Sequence, residues 1–318
     1  MLLGPVAHDL ADRRLAVVAD GALHYIPFDA LPEPAAGAGR GRQDAAAVPL
    51  LRRHEVIELP SASVLAAARR EAAQRQPPPR LAILLADPVF DREDPRLAPA
   101  AATPAPGGSP DGAGAAGDAL PEGRARLGRL RFSGREAQAI AALAPPGAVT
   151  AELGFAATRD LALSGRLRDY RYVHLATHGR FDAGRPELSG LLLSRFDAAG
   201  RPLQGFVGLR DVYDLDLAAD LVVLSGCQTA LGKEIRGEGL VGLTRGFLYA
   251  GALRVVASLW WIDDRATAEL MARFYRGLWR EGLRPAAALR QARLALAAER
   301  RYRDPFYWGA LVLQGDWR

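Results

Sequence analysis

Two stretches decide how this chain is read: Tyr172–Gly179, YVHLATHG, and Leu221–Gln228, LVVLSGCQ. Each opens with an apolar run of strand length and breaks at a polar turn that contains glycine. Continuous rather than alternating apolarity is expected of parallel strands covered by helices on both faces. Leu81–Asp87, Gly190–Leu193, Val255–Leu259 and Tyr307–Leu313 have the same strand-like character. Between the later runs the sequence predicts helices over roughly Gly239–Tyr249, Arg265–Trp279 and Arg284–Arg300, and in the second Leu270, Met271, Phe274, Tyr275 and Leu278 make one apolar stripe. The alternation predicts an α/β fold, a three-layer α/β/α sandwich around a mostly parallel sheet.

Upstream, Arg13–Leu31 predicts two strands around an Asp20-Gly21 turn, and His54–Pro60 a third. Ser61 stands as the N-cap of an alanine-rich helix that stops at Pro77. Ser133 and Glu136 have capping-box spacing. Residues 98–117, APAAATPAPGGSPDGAGAAG, are Ala, Pro or Gly at 17 of 20 positions, a composition with too little to bury to offset the entropy of ordering. This flexible insertion divides the chain into a block over 1–92, the insertion itself over 93–127, and a block over 128–318. No repeat of 20 to 50 residues is evident.

Composition narrows the class of protein. With 318 residues, 49% apolar and 24% charged, neither a disordered chain nor a membrane protein fits. The net charge of +5 is carried almost wholly by arginine, since Lys233 is the single lysine. Abundant Ala, Gly, Pro and Arg reflect a GC-rich coding sequence, and the arginines are scattered without interleaved aromatics, so no nucleic-acid partner is expected. A single cysteine, Cys227, excludes an intrachain disulfide and a multi-cysteine zinc site. No apolar run reaches the roughly 18 to 20 residues of a spanning helix, and Met1–Arg14 lacks a secretory apolar core, so a cytoplasmic protein without membrane contact is expected.

Open α/β sheets place ligands beyond the carboxyl ends of their strands. After YVHLA comes Thr177-His178-Gly179, and after LVVLS comes Gly226-Cys227-Gln228. A histidine and the sole cysteine thus follow two strands at corresponding places, a candidate Cys-His dyad. An imidazole within reach can take the thiol proton and then protonate an amine leaving group. The backbone amides of Gly179 and Cys227 are the natural oxyanion donors. Against this, a lone strand-end cysteine is commonly a small hydrophobe and a lone histidine a structural residue. His174 shares a strand side with His178, but no third ligand is indicated, so no metal is expected, and His174 is read as packed in the sheet. Lys233–Leu243, KEIRGEGLVGL, matches no phosphate-binding motif; Gly237 and Gly239 would lend mobility to the loop, and Glu238 begins the next helix. In Ser258–Asp264, SLWWIDD, either aspartate can cap the following helix or face a substrate pocket and pair with a basic side chain. The cap suits Asp263 better, while Asp264 divides evenly between the two roles. Ser258 and Trp260 belong to the same candidate substrate-binding segment, and Trp260 and Trp261 read as core or pocket wall.

These strings resemble a known family. YVHLATHG, LVVLSGCQTALG, the long stretch over 237–278 and DPFYWGALVLQGD, in that order, look like a CHAT domain, a caspase-like domain associated with tetratricopeptide repeats. GALHYIPFDAL, ELPSAS and LADPVFD are similar too, so the likeness spans all but the insertion. The resemblance implies the caspase-hemoglobinase fold and the clan CD cysteine peptidases, and it carries the catalytic pair onto His178 and Cys227. It also implies that an acidic residue in the SLWWIDD segment, by position Asp264, recognises a basic residue before the scissile bond. Departures are Gly226, where many members have Ala, Gln228, where many are acidic, and the lack of preceding repeats; the chain is then a stand-alone domain or the end of a longer protein. The expectation is a cysteine endopeptidase acting on a protein or peptide substrate, without metal or organic cofactor, regulated by a repeat region or partner protein. The alternative is a catalytically silent scaffold or signalling domain on the same fold.

Overall fold

The computed structural model describes residues 2–11, 13–34, 48–97, 127–180, 185, 188–226, 238–260 and 262–317. The first elements are α1 (Ala7–Leu10), β1 (Leu15–Val17), β2 (Val56–Glu58), α2 (Ala62–Gln74) and β3 (Arg80–Ala86). After the insertion come α3 (Arg131–Ala141), β4 (Val149–Leu153), α4 (Arg159–Leu163), β5 (Tyr170–Ala176), β6 (His178–Arg180), β7 (Gly190–Leu192) and β8 (Phe206–Gly208). The chain continues through α5 (Leu209–Tyr213), β9 (Leu221–Ser225), α6 (Glu238–Tyr249) and β10 (Arg254–Ser258). It closes with α7 (Asp264–Trp279), α8 (Pro285–Ala297), α9 (Pro305–Trp308) and β11 (Leu311–Gly315).

Eight strands form one sheet in the order β1-β2-β11-β10-β9-β5-β3-β4. Its pairs are parallel except β10–β11, so β10, β9, β5, β3 and β4 run one way and β11, β2 and β1 the other. Strands from both sides of the insertion interleave, with β3 seated between β5 and β4. The continuous apolar runs follow from burial on both faces. Along β3, Ala82, Leu84 and Ala86 turn to one core with α3, α7 and α8, while Ile83 and Leu85 turn to a second core with α4, α5 and α6. Ile83, Leu84 and Leu85 are fully buried, and each such side chain contributes roughly 1.5–3 kcal/mol. This is the three-layer α/β/α sandwich. Among the described residues no helix is long and apolar enough to cross a membrane.

Four local expectations are corrected. Tyr307 and Trp308 belong to the short helix α9, which the Asp304 carboxylate caps by accepting from the Phe306 amide, so the strand expected over Tyr307–Leu313 starts only at Leu311. Residues 21–25 form a 3₁₀ helix rather than a second strand, because β1 pairs in parallel with the distant β2 and Asp20-Gly21 joins no hairpin. Gly190–Leu192 is a strand outside the large sheet, in a three-stranded antiparallel sheet ordered β6-β7-β8. The Ser133–Glu136 capping box does not form: α3 starts at Arg131, the Ser133 hydroxyl donates to Leu130 O and accepts from the Asp87 amide, and Glu136 is committed elsewhere. By contrast, the Ser61 oxygen does accept from the Val64 amide and caps α2.

Candidate active site

β5 and β9 lie side by side with Ala176 opposite Ser225, so their carboxyl ends stop level. The Thr177 amide donates to Ser225 O at 3.0 Å, and its hydroxyl donates to Leu192 O in β7. Thr177 is therefore the joint at which the chain leaves the large sheet for the small one, and His178 is the next residue, paired across to Leu192. Gly179 follows, buried opposite Leu191. Just past the neighbouring strand Gly226 has φ +92°, and a Cβ there would stand 3.2 Å from Thr177 O. That backbone and that approach favour glycine. Cys227 lies outside the described residues, together with Gln228, Lys233 and Gly237.

His178 is 1% exposed, and the Phe90 ring covers it with centroids 4.6 Å apart. Its Nε2 lies 2.7 Å from the Gly128 carbonyl oxygen. A carbonyl only accepts, so Nε2 carries the proton, and in the neutral ring Nδ1 keeps its lone pair. Nδ1 is buried with no hydrogen-bond partner among the described residues. Burial lowers the pKa of His178 below its ordinary value, and the bond to the Gly128 carbonyl opposes this in part. The ring is thus held as a neutral base with its acceptor nitrogen unspent.

Beside Gly226 is a recess of about 30 Å³, room for a water or two, lined by Leu130, Glu136, Ser225, Ile262 and Asp264 among others. The two aspartates of SLWWIDD take different places. Asp263 caps α7, its Oδ1 accepting from the Ala266 amide at 2.8 Å. Asp264 faces the recess, and its Oδ2 accepts from the Phe132 amide in the first turn of α3 at 2.8 Å. Burial pushes its pKa up to about 6; the Phe132 bond opposes the rise, and Glu136, Asp263 and Asp87 add to it. Glu136 accepts from the Ser225 hydroxyl at 2.6 Å and touches His174 Nε2 at 2.8 Å without hydrogen-bond alignment. His174 Nδ1 meets the Tyr275 hydroxyl at 3.2 Å, so this histidine belongs to the layer under α3 and α7. Burial, with Glu136 behind it, holds the Tyr275 phenol well above its ordinary pKa.

Ser258 and Trp260 do not line the recess. Ser258 is buried at the end of β10, its Oγ without a partner among the described residues. Trp260 donates from Nε1 to Phe306 O at 3.1 Å, which ties it to α9. Trp261 lies outside the described residues. Sequence reasoning missed Gly128, Phe90 and the recess role of Glu136. Phe90 sits in the LADPVFD string and so carried a signal; Gly128 sits beside the insertion and carried none.

Comparison with known proteins follows the same lines. The CHAT domain family model matches residues 1–316. Tetratricopeptide repeat protein 28 of Mus musculus is 37% identical over 106 residues, and its Homo sapiens counterpart 36% over 106 residues. In each case the aligned part is 33% of this chain and 4% of the relative, so the chain spans a small fraction of those proteins. Two crystal structures of the Saccharomyces cerevisiae separase–securin complex superpose with TM-scores of 0.53 and 0.52, at 12% and 13% identity. They cover 95% of this chain and 16% and 15% of the other, a likeness of fold.

Proposed function

The chain belongs to the CHAT domain family, and on that premise we propose that it is a cysteine endopeptidase with a Cys227–His178 dyad. The observation that carries this is the state of His178, two residues past the end of β5: Nε2 donates to the Gly128 carbonyl and Nδ1 is left as a buried acceptor without a partner among the described residues, while the adjacent β9 ends level with β5 and leads through Gly226 to the sole cysteine. In the proposed reaction the Cys227 thiol passes its proton to His178 Nδ1, and the thiolate adds to a peptide carbonyl. The amides of Gly179 and Cys227 receive the oxyanion. The imidazolium then protonates the leaving amine as the C–N bond breaks, which leaves a thioester. Water, deprotonated by the same nitrogen, releases the acid and restores the thiol. Neither metal nor organic cofactor enters these steps.

Asp264 supplies the preference for a basic residue before the scissile bond, since its carboxylate faces the recess beside Gly226 and no arginine among the described residues pairs with it. An arginine side chain exceeds the present volume, so its entry requires the recess to widen. Asp263, committed to the α7 cap, stabilises the segment. Kinship to repeat-containing proteins supports regulation by a tetratricopeptide-repeat region or partner.

The test is labelling with an arginyl acyloxymethyl ketone probe, comparing wild type, His178→Ala and Cys227→Ala in native and denatured form. Labelling that requires the native fold and both residues supports the peptidase. Native protein that resists this probe, and probes with other side chains, with and without a repeat-containing partner, would overturn it in favour of a silent scaffold.

A further inference from the structure

The base of the proposed dyad hangs on a backbone carbonyl in an irregular stretch, and something must hold that carbonyl still. Gly128 is exposed and has no side chain with which to anchor itself. Arg129 shares its peptide plane. A peptide is rigid and planar, so fixing the Arg129 backbone orients the Gly128 carbonyl. Arg129 is fixed by a two-pronged contact: Nε donates to Asp87 Oδ1 at 2.8 Å and Nη2 to Asp87 Oδ2 at 2.6 Å. Such a fork resists rotation as well as separation.

Asp87 is itself an unusual anchor. It is the first residue after β3 and has φ +52°, one of two non-glycine residues among those described with positive φ. A conformation of this kind is strained and persists where surrounding contacts over-determine it. Those contacts are present. The Asp87 amide donates to the Ser133 hydroxyl at 3.1 Å, its carbonyl accepts from Arg96 Nη1 at 2.8 Å, and Arg96 Nη1 also lies 3.0 Å from its Oδ2. Arg96 reaches on to Pro88 O, and Val89 is bonded through its amide to Ser194 Oγ at 3.0 Å. The same turn presents Phe90 against the His178 ring. One turn therefore provides both the wall of the imidazole and the post to which its hydrogen-bond partner is tied.

We propose that Arg129 is a positioning residue for His178, acting through the Gly128 carbonyl with Asp87 as its anchor. The inference rests on the peptidase reading for its catalytic meaning but not for its structural content. With the clamp in place His178 holds the Nε2–H tautomer and offers Nδ1; with the clamp broken the carbonyl drifts and both tautomers become populated. A surface ion pair that served stability alone would leave the tautomer unchanged.

The experiment uses the full chain with nitrogen-15 labelled histidine, the His178 signals being assigned by their loss in His178→Gln. Wild type is expected to show one protonated nitrogen, Nε2. Arg129→Gln is expected to give averaged signals and to slow Cys227 alkylation by the arginyl probe about 10- to 100-fold, with the concentration dependence of labelling unchanged, the cost of a slightly misplaced base. Arg129→Lys, which keeps the charge but loses the fork, should fall between the two, and it carries the test should Arg129→Gln not fold. Nitrogen signals identical to wild type in a folded Arg129 variant would overturn the proposal. Should wild type never label, the peptidase reading fails, while the tautomer measurement still decides the role of the clamp.

Discussion

The recess beside Gly226 and the cluster between α8 and β2 both bury ionisable groups, and they do so in opposite ways. In the cluster, Arg293 of α8 pairs with Asp29, both nearly inaccessible, and Gln314 Nε2 donates to Glu58 Oε2 at 3.2 Å. A guanidinium faces the Asp29 carboxylate there. At the recess, the partners of Asp264 and Glu136 are a backbone amide, a serine hydroxyl and a histidine, and among the described residues neither carboxylate has an arginine. Burial by itself thus does not mark a site. The difference lies in whether a guanidinium is built in, as in the cluster, or is missing among the described residues, as at the recess, where the proposed binding of a basic side chain would supply it.

The sharpest way to break this contrast is Arg293→Met. Removing one partner of a buried pair leaves an uncompensated charge, so a loss of about 3–5 kcal/mol is expected in urea unfolding. A loss under 1 kcal/mol would mean that the cluster does not hold the fold. Asp264→Asn tests the other side. It keeps an acceptor for the Phe132 amide and so leaves stability nearly unchanged, but it should reduce the preference for arginyl over neutral probes about 10- to 100-fold. Asp264→Ala should in addition cost about 1 kcal/mol, because the amide in the first turn of α3 loses its acceptor. Since the Asp264 carboxyl titrates at about 6, the wild-type preference should fade as pH drops through that value. A preference constant from pH 7 to 5 would remove Asp264 from recognition.

Glu58 gives a pH signature of the cluster. Burial, reinforced by Asp29, raises its pKa from the ordinary 4.5 to about 8, with Gln314 and Arg293 opposing. Between those values the folded chain keeps a proton that the unfolded chain has released, so stability falls as pH rises through this window, by at most about 1.4 kcal/mol per unit. Glu58→Gln should flatten that dependence, measured as denaturation midpoints from pH 5 to 8, and an unaltered slope would assign it to other groups. The smallest effect is expected for Trp260→Phe, which removes the bond to Phe306 O without touching the recess. About 1 kcal/mol or less should be lost, with probe selectivity intact. Altered selectivity would support Trp260 as part of the substrate-binding segment.

Much of this was legible from residue order. Leu81–Asp87, Tyr172–Ala176, Leu221–Leu224 and Val255–Leu259 are strands of the large sheet because unbroken apolarity is what burial on both faces demands. His178 and Gly226 stand at strand ends because those runs stop where polar residues begin. Gly190–Leu192 has the same apolar character as a strand of the large sheet, yet it pairs with His178–Arg180; apolar character reports burial and not which neighbour provides it. Ser133 and Glu136 have the spacing of a cap, yet Asp87 and Ser225 outcompete the local geometry. β4 was missed because Val149–Leu153 is only partly buried and lacks a long apolar run.

The sequence by itself determined the layered α/β architecture, the strands at whose ends His178 and Gly226 stand, and the family to which the chain belongs. These are properties of local periodicity and of strings that survive as strings. The tertiary structure alone decided that β11 runs against β10, that Asp263 caps a helix while its neighbour Asp264 faces the recess, and that His178 keeps its proton on Nε2. Hydrophobic burial is non-directional and is encoded in composition along a segment. Hydrogen bonds are directional, and their partners, such as Gly128 for His178, 50 residues away, exist only once distant segments have been brought into register.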